Sequence, residues 1–170
     1  MSKPTTQHSA AVKRIFRYLK GTPDLPIVYR SSGSNSELRG FCDSSYGNKQ
    51  NICNWIDVFL SNGLVHFSSS LQRITATSTT QTELIALARG GKFGTYPFNL
   101  LRELGWSSIR PSIIFSDSQG ALHLFSNANY RNESKHLAIR FFSLKDLITN
   151  GQITINYIRT TAQLADILTK

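Results

Sequence analysis

A hairpin signal, followed by strands that alternate with helices, constrains the fold of this chain more than any other feature. Asn62-Gly63 separates two short apolar runs, and Asn-Gly is a dipeptide that tight antiparallel hairpins favour. The periodicity predicts strands over residues 38–43, 57–60, 64–68, 71–76, 112–116 and 153–158. Helical patterns precede the last two strands, and parallel strands need such long crossovers. The order therefore predicts an α/β domain whose sheet is antiparallel first and parallel afterwards.

One predicted helix contains residues that disfavour helices. The helical patterns cover residues 8–20, segments that start at 78 and near 118, residues 135–149, and a helix start over 162–170. The second of these opens with the capping pair Ser78 and Gln81 but continues into three glycines and Pro97. Interior glycines cost about 1 kcal/mol each and an interior proline about 3, which sums to about 6 kcal/mol. The sequence therefore predicts that this helix breaks or kinks near Pro97, or that the fold is marginal.

The chain carries a strong positive charge, with 19 Lys and Arg against 10 Asp and Glu in 170 residues. A formal net charge of +9 favours polyanionic partners, above all nucleic acid, although a solubilising surface charge is the alternative interpretation. Two cysteines are too few for a disulfide scaffold or an all-cysteine zinc site. The N-terminal residues are polar, and no apolar run reaches the roughly 20 residues of a membrane span. We therefore expect one intracellular domain, in the cytoplasm or nucleus, without a membrane partner.

Four of the carboxylates occupy unusual places for a basic protein. Asp43 and Asp117 each end a predicted strand. Glu83 lies in the first turns of a predicted helix, and Asp166 lies between apolar residues. Carboxylates brought together are costly unless a cation compensates them, and Mg²⁺ prefers hard oxygen ligands. The pattern thus suggests a Mg²⁺ site for phosphodiester chemistry, whereas strand-end capping and a helix-dipole contact are the alternative interpretation.

Several segments resemble the RNase H domain at the C-terminal end of copia-type retrotransposon polyproteins. They read AVKRIFRYLKGTPDLPIVYRSSG, LRGFCDSSY, TSTTQTELIALA, SIIFSDSQGAL, SKHLAIRFF and INYIRTTAQLADILTK, and they cover essentially the whole chain. The resemblance implies an RNase H-like fold, with a mixed five-stranded sheet flanked by helices. It implies one domain over 1–170, with an N-terminal helix and connection in 1–30 and a catalytic core in 37–170. It also implies cleavage of the RNA strand in RNA–DNA hybrids.

The resemblance also assigns four metal ligands. The acid of the family's C-D-S-D-Y motif falls on Asp43, and that of its S-T-x-A-E-Y motif falls on Glu83. The acid of D-N-Q-S-A falls on Asp117, and that of L-A-D-I-L-T-K is Asp166. Two Mg²⁺ ions are implied, or Mn²⁺ in their place, with Asp43 bridging both. Glu83 and Asp117 would bind on one side and Asp166 on the other. The family has a further acid two residues after the first, where this chain has Ser45.

Partners follow from the same resemblance. An RNA–DNA hybrid is the expected substrate, and the candidate contacts to it are Arg73, Gln119, Lys135, His136 and Arg140. For His136, a surface or packing role is the alternative interpretation. In intact elements a reverse transcriptase domain precedes this one, inside a virus-like particle, and the basic side of the first helix would face it. The alternative function is a decayed or inactive fragment that acts at most as a nucleic-acid-binding module, with a steep salt dependence.

Overall fold

A computed structural model describes residues 3–29, 37–45, 52–72, 78–126 and 135–168 of the chain. The helices are α1 (Thr6–Gly21), α2 (Thr79–Glu103), α3 (Gln119–Ser126) and α4 (Lys135–Thr149). The strands are β1 (Leu38–Ser45), β2 (Cys53–Leu60), β3 (Gly63–Leu71), β4 (Ser112–Ser116) and β5 (Ile153–Tyr157). Two 3₁₀ turns follow, at Thr160–Ala162 and Leu164–Leu168. In this part of the chain, no helix is long and apolar enough to cross a membrane.

The strands form one sheet in the order β3-β2-β1-β4-β5. β2 pairs antiparallel with both β1 and β3, whereas β4 pairs parallel with both β1 and β5. The predicted mixed sheet, antiparallel first and parallel afterwards, is therefore confirmed. β1 lies in the middle, where the two halves meet, so its carboxyl end has a strand on either side.

The β2–β3 hairpin turns one residue earlier than the sequence predicts. Leu60 pairs with Gly63, so the two turn residues are Ser61 and Asn62, with φ angles of 48° and 70°. Two positive φ values in a two-residue turn match the twist of the flanking strands. Gly63 serves a different purpose, because the ring of Tyr29 lies where a side chain on Gly63 would be. The hydroxyl of Tyr29 also donates a 2.7 Å hydrogen bond to a β3 carbonyl.

β3 runs without interruption from Gly63 to Leu71. The strand predicted over 64–68 therefore lies within β3 but ends too early, and Leu71, predicted to begin a separate strand, is the last residue of β3. Its burial alternates along the whole length, as expected for a strand with one side against the protein. The alternation continues through the polar residues 68–70. Because these residues are serines, apolar periodicity does not predict that the strand continues through them. Residues 73–76 of the predicted strand lie outside the described residues.

Helix α2 is continuous through its glycines and through Pro97, so the predicted break is wrong, whereas the alternative of a marginal fold stays a prediction. The glycines lie against the sheet and against α4. A Cβ atom added to Gly94 would lie 2.7 Å from Ile114 Cδ1, and one added to Gly91 would lie 2.8 Å from Leu144 Cδ1. The absent side chains therefore let the helix axis approach the core closely. We therefore expect this packing to counteract the low helix propensity of the glycines.

The core lies between the sheet and helices α2 and α4. Its fully buried members include Leu38, Ile56, Val58, Leu87, Ile114, Leu144 and Ile153. The helix start predicted over 162–170 takes the form of 3₁₀ turns instead, and the second turn packs on β1 and β2. Gln163 anchors this segment, because its buried amide nitrogen donates a 3.0 Å hydrogen bond to the carbonyl of Cys42. By contrast, α1 has no buried residue.

Candidate metal centre and nucleic-acid interface

The parallel pairing of β1 with β4 brings two carboxylates side by side. Phe41 pairs with Phe115, and two residues later Asp43 lies on β1 while Asp117 directly follows the last residue of β4. Helix α2 begins only four residues before Glu83, which places that carboxylate in the first turns over the same end of the sheet. One carboxylate oxygen from each of the three residues lies within 4.8 Å of the other two.

Glu83 is the acid whose ionisation this arrangement opposes most. Burial, together with the charges of Asp43 and Asp117, raises the pKa of Glu83 from 4.5 to about 8. A 2.6 Å hydrogen bond from the hydroxyl of Ser44 to Oε1 of Glu83 partly counteracts this rise in pKa. The second oxygen of Glu83, Oε2, is buried and has no hydrogen-bond partner among the described residues. A positive charge at this place would stabilise all three carboxylates.

The donor set fits a hard divalent cation. Mg²⁺ binds through carboxylate oxygens, and Asp43 and Asp117 offer theirs from β1 and from the residue directly after β4. The buried Oε2 of Glu83 is a further ligand atom that lacks a hydrogen-bond partner in the described part of the chain. These observations are independent of any motif, because they follow from strand pairing and from burial alone.

Asp166, the fourth predicted ligand, lies in the second 3₁₀ turn, which packs on β1 and β2. Its side chain is half-buried. Among the residues that the structure describes, the group of converging carboxylates contains three members and Asp166 is not one of them. Its role as a ligand, and with it the arrangement of two ions, stays a prediction.

The predicted nucleic-acid contacts are distributed over two helices. Lys135 and His136 are exposed in the first turn of α4, and Arg140 is half-buried one turn later. Gln119 is exposed at the first residue of α3. Arg73 lies outside the described residues. The binding roles of these five residues stay predictions.

Two cations on α2 were missed by sequence reasoning. Lys92 lines a cleft between α2 and α4 together with His136 and Arg140. Arg89 lies one turn earlier on α2, and the charge of Arg140 adds to the effect of burial in lowering its pKa. Their spacing of three residues is a helical signal. It was overlooked because the surrounding glycines were interpreted as a helix break.

The chain matches three curated polyproteins over essentially its whole length. It is 32% identical to the retrovirus-related Pol polyprotein from transposon RE1 of Arabidopsis thaliana, which covers 100% of this chain and 12% of that protein. Identity to the corresponding polyprotein from transposon TNT 1-94 of Nicotiana tabacum is 30%, over 100% of this chain and 13% of that protein. The Ty1-DR5 Gag-Pol polyprotein of Saccharomyces cerevisiae is 22% identical, over 98% of this chain and 10% of that protein.

Its homologues are retrovirus-related Pol polyproteins of copia-type transposons. The chain thus spans only 10–13% of the length of these three relatives. No family model matches the chain.

Solved structures agree on the fold. LC11-RNase H1, isolated from compost by a metagenomic approach, aligns with a TM-score of 0.58 at 16% identity, over 79% of this chain and 93% of that one. A foamy viral protease-reverse transcriptase in complex with an RNA/DNA hybrid aligns with a TM-score of 0.59 at 14% identity, over 93% of this chain and 19% of that one. Together with the strand order, these alignments show an RNase H-like fold, as the resemblance implied.

Proposed function

We propose that the chain is an RNase H domain that hydrolyses the RNA strand of RNA–DNA hybrids with the help of divalent cations. The convergence of Asp43, Glu83 and Asp117 at one end of the sheet carries the proposal. The fold supports it, because LC11-RNase H1 and the foamy viral enzyme, which share that fold, have both been solved with RNA/DNA hybrids. The Pol polyprotein homologues support it from the sequence side.

The three carboxylates would hold Mg²⁺ or Mn²⁺, and Asp166 would complete a site for two ions. When bound, such ions supply an activated water and neutralise charge on the phosphodiester. Asp43 and Asp117 fix the ligand positions, because their strands are paired to each other. Ser44 orients Glu83 by donating to Oε1 and leaves Oε2 for the cation.

The hybrid would be held through its backbone rather than through its bases. Lys135 and Arg140 offer positive charge for phosphates, and His136 and Gln119 offer hydrogen bonds. Contacts of this kind recognise the shape of the helix and its 2′-hydroxyls, so little sequence preference is expected. We further propose that residues 37–170 form the catalytic core, and that the basic side of α1 faces a reverse transcriptase domain of the polyprotein.

Cleavage of a hybrid with a labelled RNA strand tests the function. The full chain with Mg²⁺ should release RNA fragments and leave the DNA strand intact. Asp43→Asn, Glu83→Gln and Asp117→Asn should each abolish cleavage. Asp146→Asn is the matched control, because Asp146 is an exposed acid on α4 and should leave cleavage unchanged. Asp166→Asn tests the proposed fourth ligand separately, and it should also lower cleavage.

The competing function is hybrid binding without cleavage. A folded parent chain that binds the hybrid but does not cleave it with Mg²⁺ or Mn²⁺ would contradict the nuclease proposal. Binding should then weaken steeply with salt. It should also stay unchanged, or improve, in Asp43→Asn, because removing a negative charge near the backbone of the hybrid lowers repulsion.

A further inference from the structure

A second cleft lies between the sheet and helices α2 and α4, on a different side of α2 from the carboxylates. Its lining residues are Asn54, Ser70, Leu71, Gln72, Ile85, Arg89 and Arg140. Arg89 follows Glu83 by six residues, which places the two side chains about 120° apart around the helix axis. None of the three converging carboxylates lines the cleft, which is therefore distinct from the candidate metal centre.

The floor of the cleft carries buried polar atoms that no described residue hydrogen-bonds. Asn54 is only 1% exposed, and neither its Oδ1 nor its Nδ2 has a hydrogen-bond partner among the described residues. Ser70 pairs with Asn54 across β2 and β3, and its buried Oγ also lacks a partner in that part of the chain. A buried polar group left unsatisfied costs about 1–3 kcal/mol, and such groups commonly mark a bound water, ion or ligand.

The rim of the cleft carries two cations, Arg89 and Arg140. Arg89 and Arg140 lie close enough that the charge of Arg140 contributes to lowering the pKa of Arg89, after burial. Neither forms an ion pair with a carboxylate in the described part of the chain. Two partly buried guanidinium groups that face each other repel, and an anion between them removes the repulsion.

We propose that this cleft binds a phosphate group, held by the guanidinium groups of Arg89 and Arg140 above a floor formed by Asn54 and Ser70. A phosphate has enough acceptor oxygens for both arginine forks, for the amide nitrogen and for the hydroxyl. Of these four residues, the family resemblance pointed only to Arg140. Arg140 is also one of the proposed contacts to the hybrid, and to that extent the inference rests on the proposed function. Binding here needs neither a metal ion nor cleavage, so it can be tested separately from the nuclease activity.

Titration of inorganic phosphate into the full chain, with a chelator present, tests the inference. Calorimetry and the ³¹P line width should report saturable binding. Arg89→Gln and Arg140→Gln should each lower the affinity at least about tenfold, which corresponds to about 1.4 kcal/mol. Arg110→Gln is the matched control, because this exposed arginine lies outside the cleft and should keep the affinity of the wild type.

Further variants separate lost binding from lost folding. Arg89→Lys keeps the charge but not the planar fork, so it should lose less affinity than Arg89→Gln. Circular dichroism confirms that each variant is folded. Phosphate binding that is equally tight in the wild type, Arg89→Gln and Arg140→Gln overturns the inference, and so does a wild type that does not bind at millimolar phosphate.

Competition distinguishes the two sources of the phosphate group. If a short single-stranded oligonucleotide displaces inorganic phosphate, the natural ligand is a backbone phosphate of nucleic acid. If it does not, the ligand is a free phosphate or a small phosphomonoester. The titration contains no divalent cation, so its result does not depend on whether the chain cleaves hybrids.

Discussion

Gly94→Ala tests whether α2 depends on close approach to the sheet. In an unpacked helix this change would stabilise by about 1 kcal/mol, because glycine is that much less favourable than alanine. Here the added Cβ would lie 2.7 Å from Ile114 Cδ1 and 3.3 Å from Ser112 Cβ. Ile114 is fully buried, and the hydroxyl of Ser112 donates a 2.7 Å hydrogen bond to the carbonyl of Gly94. Both neighbours are fully buried, so we expect the added methyl group to overpack this part of the core.

The magnitude follows from two opposing effects. Overpacking a close-packed core costs about 1–3 kcal/mol, against a propensity gain of about 1. We therefore expect Gly94→Ala to lower the free energy of unfolding by about 1 kcal/mol. For a chain of this size, that corresponds to a fall in Tm of about 2–4 °C. Urea unfolding followed by circular dichroism measures it, provided that the m value stays unchanged.

Two further variants identify the cause. Gly120→Ala is the control within a helix, because the added Cβ would contact only the side chain of Thr80, at 3.3 Å, and Gly120 is exposed. It should not destabilise. Ile114→Val removes the clashing Cδ1 atom and costs about 0.5–1.5 kcal/mol alone. The double variant with Gly94→Ala should be about 1 kcal/mol more stable than the sum of its parts. A stabilising Gly94→Ala, or a coupling energy of zero, would refute the argument.

Three more outcomes are expected. The pKa of Glu83 in the folded state, about 8, lies above its ordinary value of 4.5, so the folded chain holds the proton more tightly and stability should fall between those pH values. Urea unfolding with a chelator should show a loss on the order of 5 kcal/mol, and Glu83→Gln should flatten the profile. Mg²⁺ should raise the Tm at pH 8, and Asp117→Asn should abolish this shift in a thermal melt. The Cys42 thiol, whose pKa burial raises well above its usual range, should resist a disulfide reagent in a Cys53→Ser chain until the protein unfolds.

Local sequence patterns predict much of the architecture. The order of strands and helices predicted the mixed sheet, because crossover length decides between antiparallel and parallel pairing. The convergence of Asp43 and Asp117 required only that their strands be neighbours, as they are. The behaviour of α2 could not be predicted in this way. Propensity scales describe a helix without neighbours, whereas Gly91 and Gly94 are favourable only because of what lies against them.

The phosphate cleft left no signal in the sequence. Its four proposed ligands, Asn54, Ser70, Arg89 and Arg140, come from two strands and two helices and belong to no common motif. Their relation arises only when β2 and β3 pair and α2 and α4 pack. Asp166 is the reverse case, because a sequence motif marked it as a ligand. The chain around it forms a 3₁₀ turn, and the group of converging carboxylates in the described residues does not include it.

The packing of α2 and the chemistry of the site are connected through one rigid element. Glu83 lies near the start of the helix that Gly94 holds against the sheet, whereas Asp43 lies on the sheet itself. A helix pushed outward at Gly94 would carry Glu83 away from Asp43. Gly94→Ala should therefore weaken stabilisation by Mg²⁺ more than Ile109→Val, a core variant of similar expected cost outside α2. Equal Mg²⁺ affinities in the two variants would mean that the clash is absorbed locally and that Glu83 keeps its place.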